Sequence, residues 1–409
     1  MRGNPSEALS GLRVIEMGSL IAGPFCGQLL GDFGADVVKI EDPTTGDPMR
    51  RWGRADRGTT GLWWPTISRN KRSVSIDLRF PDGQQVIRQL ISSADVVVEN
   101  FRPGTLERWG LGYEEMAAGN PAVVYVRLSG FGQDGPYAQR AGFGSIGEAM
   151  GGLRYVTGDA AHPPSRSGIS LGDSLAGIFG AVGALVALHE RTRSGRGQVV
   201  DVALYEAVLA VMESLIPDHT IAGHIRERSG ATLPGAAPSN AYRTGDEEWV
   251  VVGANGDRVF ARLVEALALP IQDDRRFATH EARGDHAEEL DAIIEEATSR
   301  YDAEEVLARL HDHGVPASRI YRAPDILADP HVRARQAVLQ MTHPEFGEYP
   351  MQSVFPRLSR TPGRVGALGP ALGEHNREVL VDELGLSEDV LLADHVRPRV
   401  QAAIGAPGA

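Results

Sequence analysis

The stretch "LRVIEMGSLIAGPFCGQLLGDFGADVVKIE", residues 12–41, carries the decision about the fold. A β-rich run (12–17) leads through a glycine-bearing loop into a helical pattern with small residues on one side (23–34). A second β-rich run follows (35–41). The same alternation continues with runs at 73–78, 94–100 and 122–130, spaced by the helical patterns "PDGQQVIRQLISS" and "LERWGLGYEEMAAGN". Strands that alternate with helices predict an α/β fold, a parallel sheet covered by helices. Ligands of such sheets bind beyond the carboxyl ends of the strands. The loops at 18–23, 42–53, 100–104 and 129–135 are therefore the places to look.

The chain has 409 residues, long for one core, which predicts two domains. A large domain is expected over 1–224, rejoined by 330–409, with a smaller α+β domain and its linkers over 225–329. The Gly-, Pro- and Arg-rich "RERSGATLPGAAP" (226–238) marks the entry to the second, as a linker or active-site loop. A net charge of −13 excludes general nucleic-acid binding, since no basic surplus exists to neutralise a phosphate backbone. A local group of arginines can still hold a small anion. Cys26 is the single cysteine, which excludes an intrachain disulfide and a Cys-rich zinc site and fits a reducing compartment. The start lacks a secretory pattern. The apolar run 175–188 falls short of the ~20 residues that span a bilayer. The expectation is a cytoplasmic protein with no membrane, nucleic-acid or metal partner.

Glycines 18, 23 and 27 do not match the G-x-G-x-x-G spacing that brings backbone onto a pyrophosphate, which demotes a dinucleotide site. P-loop and H-E-x-x-H patterns are absent from the sequence. Asp173, in "SGISLGDSLAG", is the conspicuous residue: a carboxylate at the head of an apolar run, where charge is costly to bury. It reads as a helix N-cap or as a nucleophile kept ionised by backbone bonds where little water reaches. Gly172 beside it leaves room for an acyl group. Spacing alone leaves both readings open.

Six stretches, in order, narrow the choice. "GLRVIEMGSLIAGPFCGQLLGDFGADVVKIEDPTTGDPMR", "NKRSVSIDLR", "ADVVVENFRPG", "LSGFGQDGPY", "SGISLGDSLAG" and "RTRSGRGQVVDVALYEAV" resemble successive signatures of the class III CoA-transferases. The resemblance runs on to "GVPASRIYRAPDILADPHV" and "LGEHNREVL". It implies a Rossmann-like large domain and an interlocked homodimer. It also implies that Asp173 takes the acyl group, through an aspartyl anhydride and an aspartyl-CoA thioester. No cofactor is implied, since coenzyme A enters as a thioester substrate. Family positions for CoA contacts fall on Leu20, Ile21, Ala22, Ile76, Arg79, Asn100, Phe101, Arg102, Arg108, Arg140, Phe143 and Gly144. Ala141 stands where members often carry a basic or polar residue. Gly235, in "GAAPS", is a candidate for amides that stabilise an oxyanion.

The family includes racemases, which exchange a proton beside the thioester and carry a histidine in the segment matching "RAGFGSIGEAMGGL". Here that residue is Phe143, which disfavours racemisation; His162 and His189 lie elsewhere. A non-catalytic acyl-CoA-binding protein is the other alternative. The stretch from Phe143 to Asp173 is most similar to members that draw CoA from succinyl-CoA for small dicarboxylic acids such as malate, citramalate, itaconate or glutarate. Arg154 and Arg166 are candidates for an acid's free carboxylate, because guanidinium pairs with it bidentately. Glu148 is a further acid near the site, a candidate for substrate orientation or a plain helix-surface residue.

Overall fold

Six short strands form one parallel sheet: β1 (Arg13–Glu16), β2 (Asp36–Glu41), β3 (Lys71–Ser75), β4 (Val96–Glu99), β5 (Val124–Ser129) and β6 (Val199–Ala203). Their order, β3-β2-β1-β4-β5-β6, is the doubly wound order. Alternate residues serve opposite faces. Ile15, Val38 and Val97 pack with Ile87 and Leu90 of α2 (Pro81–Ser92). Val14, Val37 and Val98 pack instead with Cys26 and Leu30 of α1 (Ala22–Asp32) and with a long apolar helix. The computed structural model describes residues 7–53, 61–233 and 235–399, so Pro234 of the expected loop lies outside them.

The chain divides into two units. The first holds the chain up to Leu153, Ser167–Ser214 and the chain from Ala334 on; the second holds Arg154–Arg166 and Leu215–Arg333. The boundary expected at 224 thus falls at 214, and residues 154–166 join the second unit because they bond there, as Gly230 does to the Gly158 carbonyl. That unit carries an antiparallel sheet of β7 (Ser239–Arg243), β8 (Trp249–Gly253) and β9 (Ala317–Arg319), with helices packed through Leu263, Leu290, Ile294 and Leu310.

Two other elements differ from expectation. β3 begins at Lys71 rather than 73, because Lys71 and Arg72 are strand residues whose charges are hidden by Glu16 and Asp36. The helical pattern at 106–120 splits into Thr105–Arg108 and Tyr113–Gly119, with Gly110 at φ +61° between them.

The helices after β5 place the chemistry: α3 (Gly144–Met150), α4 (Leu171–Ser194) and α5 (Leu204–Leu209). α4 is longer than its apolar run, and by length and composition alone its 24 residues could cross a membrane. Its small residues explain it as a core helix instead. A β-carbon on Gly177 would meet the Ala22 carbonyl at 3.0 Å, and one on Gly180 would meet Leu128 and Val126 at 3.3 Å. On Gly183 it would come within 2.4 Å of a Val200 methyl. Missing side chains let α4 lie close on α1, β5 and β6.

The end of the chain returns to the first unit. β10 (Val338–His343) and β11 (Gly347–Gln352) form a hairpin. Beyond it the chain bonds along β3, the sheet's edge: the His375 N–H donates to Ser73 O at 3.0 Å, and the Ser75 N–H to Asn376 Oδ1 at 2.9 Å. Just past the strand, the Asp77 N–H donates to His395 O at 2.8 Å.

Gly183→Leu should wedge α4 off β6. Overpacking of this kind costs ~1–3 kcal/mol, and a lowered Tm by calorimetry is the expected result.

Candidate active site

The strand order reverses between β1 and β4, and there the first site loop is built. After β1 the chain turns at Leu20, which holds φ +64°, a conformation costing a non-glycine residue ~1–2 kcal/mol. Three side chains hold the turn. Asn100, just past β4, accepts the Ser19 N–H at 2.8 Å and donates to Ser19 O at 2.7 Å. Asp47 accepts the Leu20 N–H at 3.1 Å. Lys39 donates to Gly18 O at 2.9 Å. Lys39 is buried between Glu16 at 2.9 Å and Asp47 at 2.8 Å. Burial alone would lower its pKa, but Asp47, Glu16 and Glu41 outweigh that and raise it. Asp47 in turn is held below the usual carboxylate range: burial opposes this, and Lys39 prevails.

This turn forms one wall of a cavity of about 240 Å³, lined also by residues 100–103, 128–130 and 140–143, by Leu204 and by Asp173. Leu20, Ile21, Ala22, Asn100, Phe101, Arg102, Arg140 and Phe143 thus line one cavity, Ala141 with them. Arg140 lies over the Tyr137 ring, 3.5 Å from its centre. Two guanidinium groups in one cavity make a local cationic field on an acidic protein. No histidine lines this cavity among the described residues.

A second cavity, about 270 Å³, shares Ser19 and Phe101 with the first and is lined by Ile76 and Arg79. Asp77 and Asp42 hold the Arg79 guanidinium at 2.6 and 2.8 Å. Arg108 lines neither cavity; it is exposed and donates to Thr105 Oγ1 at 3.0 Å. Glu99, at the end of β4, accepts the Phe101 N–H at 2.8 Å and an Arg127 bond at 2.7 Å. Burial pushes its carboxyl up to about 7, against the pull of Arg127.

Asp173 is half-buried at the cavity wall. It is not the cap of α4: the helix starts at Leu171 after Ser170, so Asp173 stands in the first turn, near the positive helix end. Gly144 abuts it. A β-carbon on Gly144 would sit 2.1 Å from Asp173 Oδ2. Gly172 has another role than making room for an acyl group. Its bare Cα faces the Gly144 carbonyl, which a β-carbon would approach to 2.7 Å, and Glu148 Cγ, at 3.2 Å. Nor is Glu148 a helix-surface residue. It is wholly buried and accepts the Gly172 N–H at 3.2 Å. Sequence spacing could not show this, since the two residues lie 24 apart. Arg154, Arg166 and Gly235 belong to the second unit, with Arg166 and Gly235 exposed there.

A family model described as CoA-transferase family III matches residues 9–376. The chain belongs to that family. This CoA-transferase is 56% identical to the succinyl-CoA–D-citramalate CoA-transferase of Chloroflexus aurantiacus, over 95% of the chain and 96% of the relative. It is 40% identical to the succinyl-CoA–L-malate CoA-transferase beta subunit of the same organism, over 93% and 95%. A crystal structure of a CAIB/BAIF family protein from Brucella suis superposes with a TM-score of 0.82 at 32% identity, covering 92% of this chain and 99% of that one.

Gly144→Ala should force the Asp173 carboxylate aside and lower kcat by ~100-fold, the cost of a displacement of about 1 Å; steady-state kinetics reads it. Glu99 gives a second expectation. Its folded pKa lies above the ordinary 4.5, so the folded chain keeps a proton that the unfolded chain releases. Its stabilisation is full below that value and is lost as pH rises through about 7. The Tm gap of Glu99→Gln over wild type should therefore widen across this window and level off above it.

Proposed function

We propose that this CoA-transferase moves CoA from succinyl-CoA to a small dicarboxylic acid of the citramalate or malate kind, with Asp173 as nucleophile. The observation that carries the reading is the Asp173 carboxylate at a cavity wall, in the first turn of α4 and against a residue without a side chain. The substrates named for the two Chloroflexus relatives support the choice of donor and acceptor.

The chemistry follows from the carboxylate. Asp173 attacks the thioester carbonyl, the C–S bond breaks, and CoA leaves as thiolate from a succinyl–aspartyl anhydride. The thiolate then attacks the aspartyl carbonyl, releasing succinate and leaving an aspartyl-CoA thioester. The acceptor carboxylate attacks that carbonyl and expels the thiolate again, giving a second anhydride. Attack of the thiolate on the acceptor's carbonyl yields the new thioester and restores Asp173. Each step exchanges one activated acyl group for another, so atoms balance with no further reactant. Water would hydrolyse both kinds of intermediate, which favours a carboxylate set among packed helices over an open one.

CoA spans the two adjoining cavities in this reading, with Ile76 and Arg79 toward one end and Arg102 and Arg140 toward Asp173. A phosphate then competes with Asp42 and Asp77 for Arg79, and Arg108 serves as an outer cation. The working unit is an interlocked homodimer in the cytoplasm. An exposed apolar stripe on α4, with Val182 and Val186 at 50% and 63% exposure, supports burial against a second copy.

Incubation with succinyl-CoA, trapping with hydroxylamine or borohydride and peptide mass spectrometry should place an adduct on Asp173. Asp173→Ala should abolish both adduct and turnover. A binding protein would give no adduct, and a racemase would exchange deuterium from heavy water without any acceptor acid. A panel of dicarboxylic acids offered against succinyl-CoA should yield new thioesters, read by mass, with citramalate and malate leading.

A further inference from the structure

We infer that Glu148 is a positioning residue for Asp173: it caps, from a neighbouring helix, the helix that carries the nucleophile. The inference rests on the reading of Asp173 as nucleophile.

The first turn of an α-helix leaves N–H groups without intrahelical partners, and a cap side chain ordinarily satisfies one at the second or third position. Ser170, which precedes α4, makes no side-chain cap bond. The Ser174 N–H is satisfied by the Ser170 carbonyl at 3.1 Å. At the second position, the Gly172 N–H goes to Glu148 Oε1 at 3.2 Å. The cap is thus delivered from α3, by a side chain with no exposed surface.

Glu148 is absent from the lining of both cavities, which separates it from the substrate-orienting role. Its place in α3 is informative. Gly144 and Glu148 are one turn apart and share a face of the helix. One touches the Asp173 carboxylate; the other holds the backbone one residue before it. Gly172 makes the approach possible, since a β-carbon there would press on both the Gly144 carbonyl and Glu148. A fully buried carboxylate is a costly way to fill space, and the positive end of a 24-residue helix offsets that cost. What the arrangement secures is the angle at which Asp173 enters the cavity.

The test compares kcat, KM for succinyl-CoA and the rate of adduct formation at Asp173 in wild type, Glu148→Ala and Glu148→Gln. Loss of the cap should let the first turn of α4 drift and lower both rates by ~10–100-fold, with KM held within about threefold, as expected for misplacement of a reacting group. The glutamine variant keeps an oxygen that accepts the Gly172 N–H, and should restore both rates to within about threefold of wild type. Should the alanine variant not fold, Glu148→Asp replaces it; one methylene shorter, it withdraws from Gly172 and should be slow. Unchanged rates in the alanine or aspartate variant would overturn the inference. So would an effect on KM alone, which means contact with substrate, or a glutamine variant as slow as alanine, which means that charge and not the bond matters. If wild type itself never acquires an adduct, the nucleophile reading fails and this inference with it; an adduct in wild type with equal rates in the variants sinks only the inference.

Discussion

A β-carbon on Gly172 would come within 2.7 Å of the Gly144 carbonyl, and one on Gly144 within 2.1 Å of Asp173 Oδ2. Two helices therefore meet where neither has a side chain, and almost everything about the site descends from that contact. It puts the Asp173 carboxylate against bare backbone. It also draws Glu148 under the start of α4 and leaves the open side of Asp173 facing the cavity. The glycines and alanines further along α4 extend the same rule, since the helix must lie close on β5 and β6 for its first turn to reach this place. Close packing of this kind has two discrete outcomes, seated or displaced, because protein interiors yield little.

The opposite wall is held by charge rather than by close approach. Lys39 and Asp47 are both buried, and each also bonds the backbone of the turn at Leu20, at Gly18 O and at the Leu20 N–H. An ion pair removed from water is a poor source of stability, but breaking one side of it is severe. That asymmetry suits a strained loop at a ligand crevice. The turn cannot relax without giving up its bonds to both members of that buried pair.

The sequence displayed the sheet well because β1, β2, β4 and β5 are dense in valine and isoleucine, and burial on both faces leaves no polar alternation to confuse the pattern. β3 was displaced by two residues for a physical reason: Lys71 and Arg72 look like solvent residues until Glu16 and Asp36 are known to face them. The cavity was legible as loops at strand ends, and most of the residues carried over by resemblance do line it. Glu148 was legible only as an acid. Its burial and its bond to Gly172 join positions far apart in the chain, and no local propensity encodes such a meeting. Arg79 was found as a cation, while its clasp by Asp42 and Asp77 was not, since one of those acids comes from the neighbouring strand's exit.

β3 is the sheet's outer strand, and the backbone partners that finish it, at residues 375 and 376, come from near the chain's far end. Until residues 375 and 376 are in place that rim is open, a row of unsatisfied amides and carbonyls able to recruit a foreign strand. The strand that closes the sheet on this side is thus completed by a segment some three hundred residues further along the chain.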